Sequence, residues 1–226
     1  MTLEPQALRI RVDADETVSG LLQVPDDARA GVVLAHGAGA GMRHRFMADF
    51  ADGLAARGIA VLRYQFAYME HGSKRPDPPK LAHAAVRAAV AEAAARLPGL
   101  PLIAGGKSFG GRMSSQAQAA SPLPGVVGLG FIGFPLHPAS KPADERAAHL
   151  ADVHLPMLFL QGTRDELADA TLIAAVATRL GTRATLHWFD DADHAFHVRA
   201  RSGRNDAQVL AELLDRFAAW VARIVA

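Results

Sequence analysis

The sequence predicts an α/β fold, a mostly parallel, doubly wound sheet covered by helices on both faces. Short runs such as Val32-Val33-Leu34 and Leu102-Ile103-Ala104 are uniformly apolar rather than alternating, as strands buried on both faces must be. Most of these runs are followed by Ala-rich stretches with helical spacing, which is the βα alternation of a parallel sheet. The chain has 226 residues, half of them apolar and 21% charged, enough to bury one well-filled core.

The elements follow in order. Residues 8–12 alternate apolar and basic side chains, and 17–24 continue a strand-like composition up to Pro25; together they predict an antiparallel pair at a sheet edge. After a polar turn, 32–34 form a buried strand ending in His36-Gly37-Ala38-Gly39-Ala40-Gly41. A helix is predicted over 46–57, with Gly58 at its C-terminal cap. The next strand is 59–62. A polar loop containing Pro76, Pro78 and Pro79 leads into a helix over 80–97, closed by Pro98.

Strand 102–104 then runs into Gly105-Gly106-Lys107-Ser108-Phe109-Gly110-Gly111, with a helix expected over 112–120. Strand 126–131 precedes a mostly irregular stretch, 134–148, with room for one short helix. Strand 157–160, a helix over 167–180 capped by Gly181, and a strand over Ala184–Phe189 follow. The last helix, 206–224, repeats apolar positions at Val209, Leu213, Phe217, Trp220 and Val221, the spacing of a buried helical face. No repeat, low-complexity tail or linker divides the chain, so residues 1–226 are expected to form a single domain.

Composition narrows the function. Lys and Arg total 24 against 23 Asp and Glu, a balance that gives no electrostatic reason to expect nucleic acid or an anionic membrane as partner. The absence of Cys excludes a disulfide scaffold, a thiolate nucleophile and thiolate metal sites. The opening MTLEPQALRI lacks the basic and apolar regions of a secretory signal. Apolar runs are strand-sized, short of the roughly 18 residues a spanning helix needs. A cytoplasmic protein, monomeric or homodimeric, without a membrane partner, is the expectation.

Gly106-Lys107-Ser108-Phe109-Gly110 has the spacing G-x-S-x-G between a predicted strand and a predicted helix. That context forces a sharp turn which lifts the central hydroxyl off the sheet on strained backbone. The bland alternative, a Gly-rich turn with a capping Ser, needs fewer glycines than the four found in these seven residues. A serine hydroxyl attacks only when a base takes its proton. In a doubly wound sheet the reactive groups gather beyond the carboxyl ends of the strands. Of ten His, His194 follows the strand Ala184–Phe189 and occupies such a place, with His197 its competitor and His187 inside the strand.

The acceptor that orients the imidazole is expected at Asp165, just past strand 157–160, with Asp169 as second choice. The order Ser, Asp, His is the one this fold uses. Negative charge developing on the substrate oxygen requires amide donors; the N–H of Phe109 is one, and Ala38, with Gly39 close behind, is the choice for the second. The Gly-rich loop at 36–41 lacks the Lys-Ser/Thr of a P-loop and the dinucleotide G-x-G-x-x-G pattern, so no nucleotide or other cofactor is expected. His36 and His44 lie eight residues apart without nearby carboxylates, which disfavours a metal.

On these motifs the chain resembles the α/β-hydrolase superfamily, and within it the dienelactone-hydrolase-like branch. The segments HGAGAGMRH, Arg63-Tyr64-Gln65-Phe66-Ala67-Tyr68-Met69, Lys74-Arg75-Pro76-Asp77-Pro78-Pro79 and GGKSFGGRM are similar to those of small proteins related to testis-expressed protein thirty and to a subunit of a chromatin acetyltransferase complex. The resemblance runs from about residue 30 onward. It implies the nucleophile at Ser108, the acid at Asp165, the base at His194 and oxyanion donors at Phe109 and in the Ala38 loop. Dienelactone hydrolases proper use a Cys nucleophile, so their own reaction is not implied.

No insertion long enough for a helical lid is visible. The segment 64–79 is the candidate cover, with Tyr64, Phe66 and Tyr68 as a possible apolar wall and simple packing as the alternative. Arg63, Lys107 and Arg112 flank predicted rim loops and are candidate substrate contacts; a loop-bracing role, against Asp77 or Glu70, is the other reading for the two arginines. Two functions follow. One is a serine hydrolase acting on a small-molecule ester, thioester or similar acyl bond through an acyl-enzyme on Ser108. The other is a binding or scaffold protein of the same fold with a vestigial pocket.

Overall fold

A computed structural model describes residues 3–226. An eight-stranded sheet forms the centre: β1 (Gln6–Arg11), β2 (Thr17–Gln23), β3 (Ala30–Ala35), β4 (Ile59–Tyr64), β5 (Leu102–Lys107), β6 (Val126–Ile132), β7 (Met157–Gly162) and β8 (Ala184–Phe189). Its spatial order is β1-β2-β4-β3-β5-β6-β7-β8. β1 and β2 pair antiparallel, as does β2 with β4, and every later pairing is parallel. This is the α/β hydrolase fold that the sequence predicts.

Helices α1 (Arg45–Ala55) and α6 (Asp206–Val225) cover one face; α3 (Pro79–Arg96), α4 (Phe109–Ala120) and α5 (Ala170–Leu180) cover the other. β3, and β5 up to its last residue Lys107, are apolar because both faces are covered. α6 starts with a capping box between Asn205 and Gln208, which satisfies amides that the first turn leaves without partners. Its Phe217 meets Phe50 of α1 edge-on at 5.5 Å. Fully burying a ring of that size is worth about 3 kcal/mol. No helix among the described residues is long and apolar enough to cross a membrane.

Several boundaries differ from expectation. The helix after Ser108 begins at Phe109 rather than residue 112, since the glycines that look like turn residues lie in its first turn. α5 begins at Ala170, three residues later than predicted, because the Asp169 carboxylate accepts from the amides of Thr171 and Leu172 and caps it. A short helix, α2 (Ala67–Glu70), interrupts the stretch read as loop. The irregular region after β6 carries a 3₁₀ turn at Glu145–Asp152.

The topology places the site. From β3 the chain moves outward to β4, then returns past β3 to β5 and continues the other way. Loops leaving β3 and β5 therefore diverge and open a crevice beyond the strand ends. Ala35 and Gly106 are register partners, so the Gly37–Gly41 loop and Ser108 emerge side by side.

Candidate active site

Ser108 sits at φ 49°, ψ −115°, backbone that costs a side-chain-bearing residue energy. Its side chain makes no helix-cap bond, which rules out the capping alternative. The flanking glycines answer to a close approach by β3. A Cβ at Gly106 would lie 2.0 Å from the carbonyl oxygen of Ala35, and one at Gly110 2.5 Å from the same atom. The turn is therefore as tight as it is because two side chains are missing.

The structure brings Ser108, His194 and Asp165 together. Nε2 of His194 stands 2.8 Å from the Ser108 Oγ, and Nδ1 stands 2.7 Å from Oδ2 of Asp165. A carboxylate only accepts, so Nδ1 carries the imidazole proton and Nε2 is left to receive the hydroxyl's. The Asp165 side chain is fully buried. Gln161 Nε2 donates to the same Oδ2 at 2.6 Å, and the Leu167 amide donates to Oδ1 at 2.8 Å. Its charge is thus met by donors rather than by water.

The competing candidates are occupied elsewhere. His197 faces Asp206 at 2.9 Å on the surface, which raises its pKa. His187 lies within β8. His36 is buried and bridges two loops: its Nε2 accepts from the Phe66 amide at 3.1 Å while Nδ1 donates to the Gly37 carbonyl at 2.8 Å. Burial pulls its pKa down to about 4, partly opposed by the Gly37 bond, so the ring is neutral and fixed in one tautomer.

The hydroxyl opens onto a cleft of about 330 Å³ lined by Gly37, Ala38, Ala40, His44, Phe46, Met47, Lys107, Leu167, His194 and Ala195. Ala38 faces this cleft, whereas the Gly39 amide is committed to the Tyr68 hydroxyl at 3.1 Å. Gly39 is therefore corrected from an oxyanion donor to a loop anchor. Phe109 opens α4, so its N–H has no partner within the helix.

Of the candidate substrate contacts, only Lys107 lines the cleft. Tyr64 and Phe66 are fully buried, packed edge-on at 5.3 Å, and Tyr68 is buried behind the loop it anchors. Arg63, also buried, donates to the Met42 carbonyl and to Gln23 Oε1; it braces a loop, though not against Asp77 or Glu70. Arg112 does not line the cleft, and its Nε is enclosed and unpaired among the described residues. Sequence reasoning missed Gln161, Leu167, Phe46 and Met47. Gln161 left a trace, as a polar residue ending the otherwise apolar strand Met157–Gly162.

Sheet order, sharp turn and converging loops define a hydrolase-type α/β domain. The chain belongs to that family: the model described as alpha/beta hydrolase domain matches residues 28–222. Among solved structures it is similar to XC6422 of Xanthomonas campestris, described as an α/β serine hydrolase without lid, at 22% identity and TM-score 0.73 over 96% of this chain and 95% of that one. It is likewise similar to a dienelactone hydrolase from Anabaena variabilis, at 20% identity and TM-score 0.79 with both chains covered in full. The esterase domain of a Rhodothermus marinus protein matches at 17% identity and TM-score 0.75, over 99% of this chain and all of that one. At such identities the likeness is one of fold.

Proposed function

We propose that the protein is a serine hydrolase that cleaves small, uncharged esters or thioesters through an acyl-enzyme on Ser108. One observation supports this above others: the unbroken line from the Ser108 hydroxyl through His194 to a buried, hydrogen-bonded Asp165. A protein that only binds has no need of it.

In this reading Ser108 Oγ attacks the carbonyl carbon as its proton passes to His194 Nε2. Asp165 stabilises the imidazolium that forms and does not itself take the proton. The amides of Phe109 and Ala38 receive the developing oxyanion, an interaction worth about 3 kcal/mol per donor. The tetrahedral intermediate collapses, and the alcohol or thiol leaves with the proton from Nε2. Water then repeats the sequence on the acyl ester and regenerates the hydroxyl.

The cleft argues for a small, neutral acyl group. Apart from Ser108, His194 and His44 its walls are Gly, Ala, Leu, Met and Phe residues, no arginine lines it, and the one ammonium, on Lys107, donates to a main-chain carbonyl. Binding a carboxylate there would mean desolvating it with no guanidinium fork to receive it. The similarity of the motifs to the dienelactone-hydrolase-like branch is consistent with this reaction class. The test is reaction with a fluorophosphonate probe. Ser108 is expected to be labelled in the wild type and label to be lost in Ser108→Ala; unlabelled, well-folded wild type refutes the proposal.

A further inference from the structure

Lys107 immediately precedes Ser108, and its ammonium lies next to the His194 loop. Nζ donates to the carbonyl oxygen of His194 itself. It also lies 5.0 Å from the centre of the Phe196 ring and 5.9 Å from that of Phe46, close enough for the ring faces to attract a cation. A Cβ built on Gly133 would be 3.0 Å from Nζ and 3.5 Å from the imidazole, so the ammonium and the ring flank one spot at the end of β6. The residue is partly buried, and burial draws the ammonium's pKa down to about 8, against the opposing charges of Asp165 and Asp193.

A buried lysine without a carboxylate in contact is costly, and a methionine of similar length would fill the space more cheaply. The cost falls at the point where the nucleophile's strand meets the base's loop. We propose that Lys107 is a positioning residue: from the nucleophile's own turn, it holds the main chain of His194 so that Nε2 meets the Ser108 hydroxyl. Ser108 and the base belong to strands separated in the sheet by β6 and β7. The Lys107 bond ties them directly, independently of the imidazole's contact with the hydroxyl.

The inference rests on the hydrolase reading, and one experiment separates the two. Fluorophosphonate labelling rates at Ser108, steady-state kinetics on a short neutral ester and melting temperatures are compared for wild type, Lys107→Met and Lys107→Arg. Lys107→Met is expected to lower kcat and the labelling rate together by about tenfold to a hundredfold, the scale of a small misplacement of a reacting group. KM should stay within about twofold, the usual sign that ground-state binding is untouched. The melting temperature should be unchanged or higher, because a buried charge has been removed.

Lys107→Arg, which retains the cation, is expected to label faster than Lys107→Met. A rate in Lys107→Met within twofold of wild type overturns the inference, as does a loss of rate matched by a loss of folded protein. If Lys107→Met does not fold, Lys107→Gln undergoes the same comparison and the same outcomes decide. Absence of labelling in the wild type removes the hydrolase reading and this inference together. Labelling that the Lys107 variants leave unchanged removes this inference alone.

Discussion

Gln161 and His194 donate to the same oxygen of Asp165, at 2.6 and 2.7 Å. The Gln161 side chain also accepts from the Phe134 amide at 3.0 Å, so it fixes the carboxylate from inside the sheet while the imidazole approaches from the rim. Gln161→Met preserves volume and removes both bonds. The expected result is a fall in kcat of roughly tenfold or more, as the acid loses its fixed direction. Stability should drop by about 1–3 kcal/mol for the unpaired buried groups. Steady-state kinetics and urea melts check the two effects separately.

Strain at Ser108 gives a second prediction. A residue at φ 49° pays a conformational cost that glycine avoids. Ser108→Gly is expected to abolish turnover and to melt at or above the wild-type temperature. A variant that is inactive because it is less stable contradicts the strained-turn account.

Acid stability should follow His36. Its pKa in the folded protein, about 4, lies below the ordinary histidine value of 6.5, so between those values the unfolded chain binds a proton that the folded one refuses. The stabilisation is complete above pH 6.5 and is lost as pH falls toward 4, amounting to something on the order of 3 kcal/mol. In His36→Asn, the decline in unfolding free energy between pH 6.5 and 4.5 should be shallower. Denaturant melts at a series of pH values measure this.

Phe46 fixes the reach of the cleft. It lines the space beside Ser108 together with Met47 and Leu167, and it stacks on Phe50 at 5.8 Å. Phe46→Ala should move the preferred acyl chain to greater length, with kcat/KM for long esters rising relative to acetate. A chain-length series of p-nitrophenyl esters run on both proteins would reveal an unchanged preference if the cleft wall lies elsewhere.

Much of this was legible in the sequence, for identifiable reasons. Buried parallel strands have a composition of their own, and a strand–turn–helix around Ser108 requires small flanking residues. His194 and Asp165 were found because strand ends in a doubly wound sheet converge. For the segment from Arg63 to Tyr68 the sequence leaves two readings open, because its composition is the same whether it lines a cleft or packs behind a loop. In the structure Tyr64, at the end of β4, and Phe66, just before α2 (Ala67–Glu70), are both fully buried. Arg63 sits inside β4, where pairing with Gln23 and Met42 makes burial tolerable. Such partners, one at the end of β2 and one in a loop, lie far off in sequence, and no local pattern announces them. Gly39 was likewise indistinguishable from Ala38 until the Tyr68 hydroxyl claimed its amide.

The pairing of Ala35 with Gly106 has a mechanical consequence. In the proposed mechanism the nucleophile, acid and base all ride on strands to one side of that pair or on it, whereas the Ala38 amide is carried by β3, the strand across from it. The two proposed oxyanion donors, Phe109 and Ala38, thus belong to two neighbouring ribbons whose separation is fixed by interstrand hydrogen bonds and by the bare Cα of a glycine. A slight change of twist between those ribbons would detune the catalyst while leaving every reactive side chain in contact with its partner.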